Sequence, residues 1–169
     1  MIDKLLNLLP KNRIADECHD GKGLLMTRYY LTPKIFGCRL VIHQFHRSDN
    51  DRHYHDHPWN FISFILKGSY IEHWPMTMWK DSTAGSYRVT SDIQQCHRRF
   101  SIIKRPKTWK HWVELSTDDC CNEPVESWTL VLLYGERRDW GFHTKEGWIR
   151  HDLYDCRGQN HGRDTNTST

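Results

Sequence analysis

An all-β fold, a sandwich or barrel of short strands, is what this chain predicts. Apolar and β-branched or aromatic runs recur at roughly 8–15-residue spacing, the rhythm of antiparallel strands. Turn signals separate them: Asp49-Asn50-Asp51, Gly68-Ser69, Ala84-Gly85-Ser86, Arg105-Pro106 and Asn122-Glu123-Pro124. Helical periodicity is confined to the start, where Ile2, Leu5, Leu6 and Leu9 in "MIDKLLNLLPKNR" line one face. That segment predicts a short N-terminal helix over residues 1–10, stopped at Pro10.

The elements follow in order. "GLLMTRYYL" and "GCRLVIHQFH" start after glycines and carry strand formers. "WNFISFILKGSYIEHW" reads as two strands joined at Lys67-Gly68-Ser69. "RRFSIIK", "HWVEL" and "WTLVLLY" complete the set; the last is apolar almost throughout and should be a central strand covered on both faces. "GERRDWGFHTKEGWI" (135–149) reads as a lid or covering loop, and "RGQNHGRDTNTST" as a loose tail from 156 to 169. Residues 1–155 are therefore expected to form a single domain.

Composition narrows the function classes. With 169 residues, 37% of them hydrophobic, and eight tryptophans and seven tyrosines, the chain can bury a core and is not a disordered polymer. A net charge of +3 does not argue for nucleic acid. No apolar run approaches the roughly 18–20 residues that span a bilayer, and the start lacks the parts of a secretion signal. The six cysteines include no C-x-x-C pair, so they are expected as reduced thiols in a cytoplasm, the host's where the chain is viral.

Chemistry concentrates in "DRHYHDHPWNFISFILKGSY" (51–70), which places His53, His55 and His57 at alternate positions. In an extended segment side chains two apart share a face, with their backbones roughly 6.5–7 Å apart. Two imidazoles so placed can lean onto one ion, and a third ligand must come from elsewhere. His111 is the candidate, since it follows a proline-marked turn and begins a strand. Three nitrogens on one side of an ion leave positions open on the other.

These residues resemble two motifs of the cupin superfamily. His55-x-His57, with the β-run that closes at Gly68, is similar to the first; Pro106-Lys107-Thr108-Trp109-Lys110-His111 is similar to the second, Pro-x-Gly-x-x-His. "HRSDNDRHYHDHPWNFISFILKGSYIE", "RRFSIIKRPKTWKHWVEL" and "WTLVLLYGERRDWGFHTKEGWI" also look like cupin-domain proteins of bacteria and phages whose activity is not established. The resemblance covers roughly residues 40–150. It implies a double-stranded β-helix, the jelly-roll barrel, whose strands bring His55, His57 and His111 together on a divalent metal. Fe(II) is the first choice, with zinc, manganese and nickel as alternatives. It also implies pairing into a homodimer.

The chain departs from the motifs at two places. The glutamate that usually follows the second histidine is absent, Phe61 and Ile62 standing there, and Thr108 replaces the glycine of the second motif. Either three histidines alone hold the metal, as in the superfamily's thiol dioxygenases, or Glu72 on the next strand reaches in. His53 lies by the turn and, on the resemblance, falls outside the ligand set.

Around the histidines, Trp59, Phe61 and Ser63 share their strand parity and are expected to line a substrate pocket. Arg52 is placed to clamp a carboxylate or to pair with Asp49 or Asp51. Asp56 points away and anchors a loop, while Glu72 and Glu114 are candidates to accept an imidazole N–H. The leading expectation is a metal-dependent oxidoreductase, Fe(II) dioxygenase-like, acting on a small and anionic molecule. Two others stand beside it: a non-catalytic cupin holding an anionic or sugar-like ligand, and a nucleic-acid or protein-binding module using the basic 98–110 segment.

Overall fold

Alternation of apolar and polar residues produces strands through most of the chain, and their pairing brings the histidine segment to one end of a sheet. The computed structural model describes residue 6 and residues 8–15, 23–49, 53–83, 85–117 and 124–155. Its elements are β1 (Lys11–Ala15), β2 (Leu24–Tyr30), β3 (Arg39–Phe45), β4 (Tyr54–His55), β5 (Asn60–Lys67) and β6 (Tyr70–Ser82), then β7 (Gly85–His97), β8 (Ile102–Arg105), β9 (Trp112–Leu115), β10 (Ser127–Tyr134), β11 (Gly141–Thr144) and β12 (Gly147–Arg150). They form a six-stranded sheet β1-β2-β3-β10-β5-β8 and two three-stranded sheets, β7-β6-β9 and β12-β11-β4.

Residues opposite one another in an antiparallel ladder share a face. Val41, Val131, Ser63 and Ile103 therefore stand in one row across β3, β10, β5 and β8. All four are buried. Ile65 and Ile103 from this sheet pack with Tyr70, Val113 and Leu115 of the β7-β6-β9 sheet, and Phe45 joins them. That contact presses the two sheets face to face and sets the inner face of the larger one. "WTLVLLY" is the central strand expected, with β3 and β5 as its neighbours.

The turn between β5 and β6 demands its glycine. Gly68 has φ of +73°, and a Cβ there would lie 2.5 Å from the Glu126 carbonyl oxygen. Gly68→Ala is therefore expected to lower stability by more than about 1 kcal/mol, read as a lower urea midpoint with an unchanged slope.

Three expectations need correcting. The short helix over residues 1–10 falls mostly outside the described residues; what is described there is a single turn, Leu9 N–H to the Leu6 carbonyl at 3.1 Å, and no helix is among the elements. The 135–149 segment is not a plain loop, because β11 and β12 pair within it and β11 also pairs with β4. The β6–β7 hairpin is far longer than "YIEHW", with thirteen residues in each strand. The tail from 156 to 169 lies outside the described residues. Among the described residues, no helix is long and apolar enough to cross a membrane, and Cys38 and Cys96 are free thiols.

Candidate metal centre

His55 belongs to β4, His57 follows it, and His111 immediately precedes β9. Backbone bonds fix all three. His55 and His111 exchange both N–H···O bonds at 2.9 and 3.0 Å, and His57 N–H reaches the Lys107 carbonyl at 2.9 Å. The proline-marked turn of the second segment is thus clamped directly to the first. Consequently the three side chains converge: one nitrogen of each lies within 4.8 Å of the others. His57 Nε2 and His111 Nε2 are 2.9 Å apart. Two imidazole nitrogens each about 2.1 Å from one ion would stand about 3 Å apart in an octahedral site, so this separation fits shared coordination.

Their surroundings orient the rings. Glu72, 1% exposed, sits behind His111 and takes its Nδ1–H at 2.6 Å. That contact leaves the His111 Nε2 lone pair turned toward His57. Glu72 is not part of the triad, because its oxygens are engaged elsewhere. They also accept from His97 Nε2 at 2.9 Å, Trp109 Nε1 at 2.9 Å and Arg105 Nη2 at 2.5 Å. Burial alone would raise the Glu72 pKa, but the hydrogen bonds from His111, His97 and Arg105 outweigh it and hold the carboxyl well below its usual range. His55 turns Nδ1 toward Asp49 Oδ2 at 3.5 Å, and Asp49 is itself held by β9 through Val113.

Burial, followed by the neighbouring charges of His111 and His55, pushes the His57 pKa well below its ordinary value. A neutral imidazole offers its lone pair without competition from a proton. Phe61 packs on His57 with ring centroids 4.8 Å apart and on His111 at 6.2 Å. From the other side Phe142 and Trp140 flank His55 at 5.9 and 6.1 Å. The hairpin β11–β12 is therefore a wall of this site.

The remaining sequence candidates divide. Trp59 lines a cleft at the end of the larger sheet. Ser63 is buried in the core row beside Ile103. His53 bonds the Tyr154 hydroxyl at 2.9 Å, apart from the triad. Arg52 lies outside the described residues. Glu114 accepts from His73, at 3.1 Å, on the opposite face of its sheet. The basic 98–110 segment does not form one face: Arg105 is engaged by Glu72, Arg99 donates to the Leu66 carbonyl, and Lys107 reaches the Glu136 carbonyl.

Solved structures share the architecture. A cupin-2 domain from Rhodospirillum rubrum superposes with a TM-score of 0.50 at 14% identity, covering 82% of this chain and 78% of that one. The chain has the cupin fold. The polyketide cyclase RemF from Streptomyces resistomycificus matches this chain with a TM-score of 0.52 at 14% identity, over 82% of each. A chain from the structures of the DMSP lyases RdDddP and RnDddQII matches with 0.53 at 12% identity, over 80% of this chain and 63% of that one. The chain thus spans less than two thirds of the lyases it matches, 57% in the case of DddQ from Ruegeria pomeroyi. No protein-family model and no curated protein matches the sequence.

Sequence reasoning passed over Arg28, Arg39 and His43. Arg28 and His43 stand opposite each other on the inner face, as do Arg39 and Leu133. The signal was present: both arginines are in phase with buried strand residues, where a charge is out of place.

Proposed function

We propose that this cupin is a metal-dependent enzyme acting on a small molecule, with His55, His57 and His111 as the ligands of one divalent ion. The observation that carries this reading is the convergence of three imidazole nitrogens with no carboxylate among them. The expected ion is Fe(II), with zinc, manganese and nickel as alternatives, since imidazole suits several of these metals. Fe(II) held in this way would supply electrons and open coordination positions for dioxygenase-like chemistry. The protein's own part is to hold the rings and exclude water. Glu72 and Asp49 orient His111 and His55, while Phe61, Trp140 and Phe142 dry the surroundings.

A second reading has specific support. The fold's neighbours include enzymes named as lyases and a cyclase. A lyase or cyclase would use the same three ligands to polarise a substrate oxygen rather than to handle dioxygen.

Elemental analysis of protein expressed with iron and zinc in excess tests the centre. About one metal ion per chain is expected in the parent, and background metal in His57→Ala. Background metal in both would end the proposal. Oxygen uptake by the iron-loaded protein with panels of thiols, 2-oxo acids and phenols separates the two readings, since only the oxidative one consumes the gas.

A further inference from the structure

The inner face of the larger sheet ends in a cleft of about 80 Å³ whose walls include Arg28, Lys34, Arg39, Tyr30, Trp59 and Leu133. Three of these residues are cations, and no acid lines the cleft. Among the described residues none of the three has a carboxylate partner. Arg28 donates from Nε to His43 Nε2 at 2.9 Å. Arg39 lies over the Tyr30 ring at 5.0 Å, and its buried Nε has no hydrogen-bond partner.

The same chain treats two other part-buried arginines differently. Arg105 is met by the buried Glu72, and Arg138 by the buried Asp56. At both of these arginines a buried acid accompanies the guanidinium. A partly buried guanidinium without one carries a desolvation cost that its neutral neighbours offset only in part and an incoming anion would offset further. Burial pulls the Arg28 pKa below its usual value, in keeping with that cost.

The cleft also adjoins the metal centre. Leu133 stands opposite Phe61 in register, and Phe61 packs on His57. Trp59 is two residues beyond His57. His43, which holds Arg28, is near enough for its charge to act on His57.

We propose that this cleft binds the oxyanion of a small organic acid, with Arg28 and Arg39 supplying the N–H fork and Lys34 the additional charge. The apolar body would lie along Trp59 and Leu133 and reach Phe61 at the edge of the triad. A planar guanidinium pair suits two acceptor oxygens, and carboxylate and phosphate monoester share that chemistry. The orientation toward the histidines rests on the function proposed above; anion binding in the cleft does not.

Calorimetric titration of the full chain, both metal-free after chelation and metal-loaded, with benzoate, phenyl phosphate and neutral benzamide tests this assignment. One or both anions should bind while benzamide does not, and the tighter of the two identifies the acid. Arg39→Gln should weaken that anion at least about tenfold, and Lys34→Gln less, with the metal content of both variants unchanged. Equal binding of benzamide, equal affinity in Arg39→Gln, or binding by neither anion would overturn the assignment. Anion binding in a protein that retains no metal would uphold the cleft and remove the metal centre, so the two failures are distinguishable.

Discussion

Glu72→Ala is expected to remove most of the protein's stability. The carboxylate is 1% exposed and holds four side chains: His111, His97, Arg105 and Trp109. Deleting it leaves the part-buried Arg105 without its acid and three N–H donors without acceptors. Breaking a buried pair from one side costs about 3–5 kcal/mol, which is a large fraction of a typical domain's 5–15 kcal/mol. A urea titration followed by circular dichroism should show a much lower midpoint, or no folded baseline. Glu72→Gln keeps an acceptor for His111 and should fold more often, yet metal affinity should fall about 10–100-fold through loss of the charge that orients the ring. Parent-like stability in Glu72→Ala would mean that the network is not what joins these strands.

The same carboxylate predicts the acid limb of stability. Its folded pKa is depressed below the ordinary value of 4.5, so the unfolded chain takes up the proton first as pH falls. The contribution is fully present above about pH 4.5 and is lost progressively below it. His43 and His57 act in the same direction at higher pH. Burial is the leading cause in both, and their folded pKa values lie well below 6.5. Their contribution is therefore present above about pH 6.5 and begins to decline below it. Thermal midpoints of the metal-free protein should fall in two stages, and Glu72→Gln should lose only the lower one.

The parts of this architecture that the sequence revealed are those where burial writes a pattern. β10 is apolar over most of its length because it is a central strand with one face buried and the other part-buried, and the turn at Gly68 is marked by a residue type with few substitutes. His111 was a candidate from its proline-marked turn, but its approach to His55 was implied by the cupin resemblance, since no local rule pairs positions 56 residues apart. β7 and the outer half of β6 left little trace. Met76, Met78 and Trp79 are exposed there, and much of β7 is exposed as well. A hairpin wet on both faces has no hydrophobic alternation to show. Glu72 was readable as a carboxylate near histidines but not as the hub of four side chains, because His97, Arg105 and Trp109 reach it from different segments. The cleft arginines were missed for the opposite reason: their basic character is ordinary, and only strand parity reveals that they point inward.

Asp56→Ala should release the β11–β12 hairpin without unfolding the rest. Asp56 is 3% exposed, and its oxygens accept from Gly141 N at 2.8 Å and Trp148 Nε1 at 3.2 Å, and also from Arg138. Gly141 leaves no room for a side chain, since a Cβ there would lie 2.0 Å from the Ile149 carbonyl oxygen. The Asp56 carboxylate thus adds a side-chain fastening to the backbone pairing of β11 with β4. Arg138 is part-exposed and recovers some hydration when its partner goes, so the loss is nearer about 2 kcal/mol than the full cost of a buried pair. Such a loss at a sheet edge appears as local opening. Trypsin should then cut after Arg137 or Arg138 several-fold faster than in the parent, while the global urea midpoint moves little. Asp152→Asn is the control: its pair with Arg150 is exposed on both sides and should leave the cleavage rate unchanged. Because Phe142 of the same hairpin stands opposite His55 in register, opening also uncovers the metal centre. Metal affinity should drop with the rise in cleavage, and bound metal should slow the cleavage in turn. Unaltered cleavage in Asp56→Ala would show that strand pairing, not this carboxylate, keeps the wall in place.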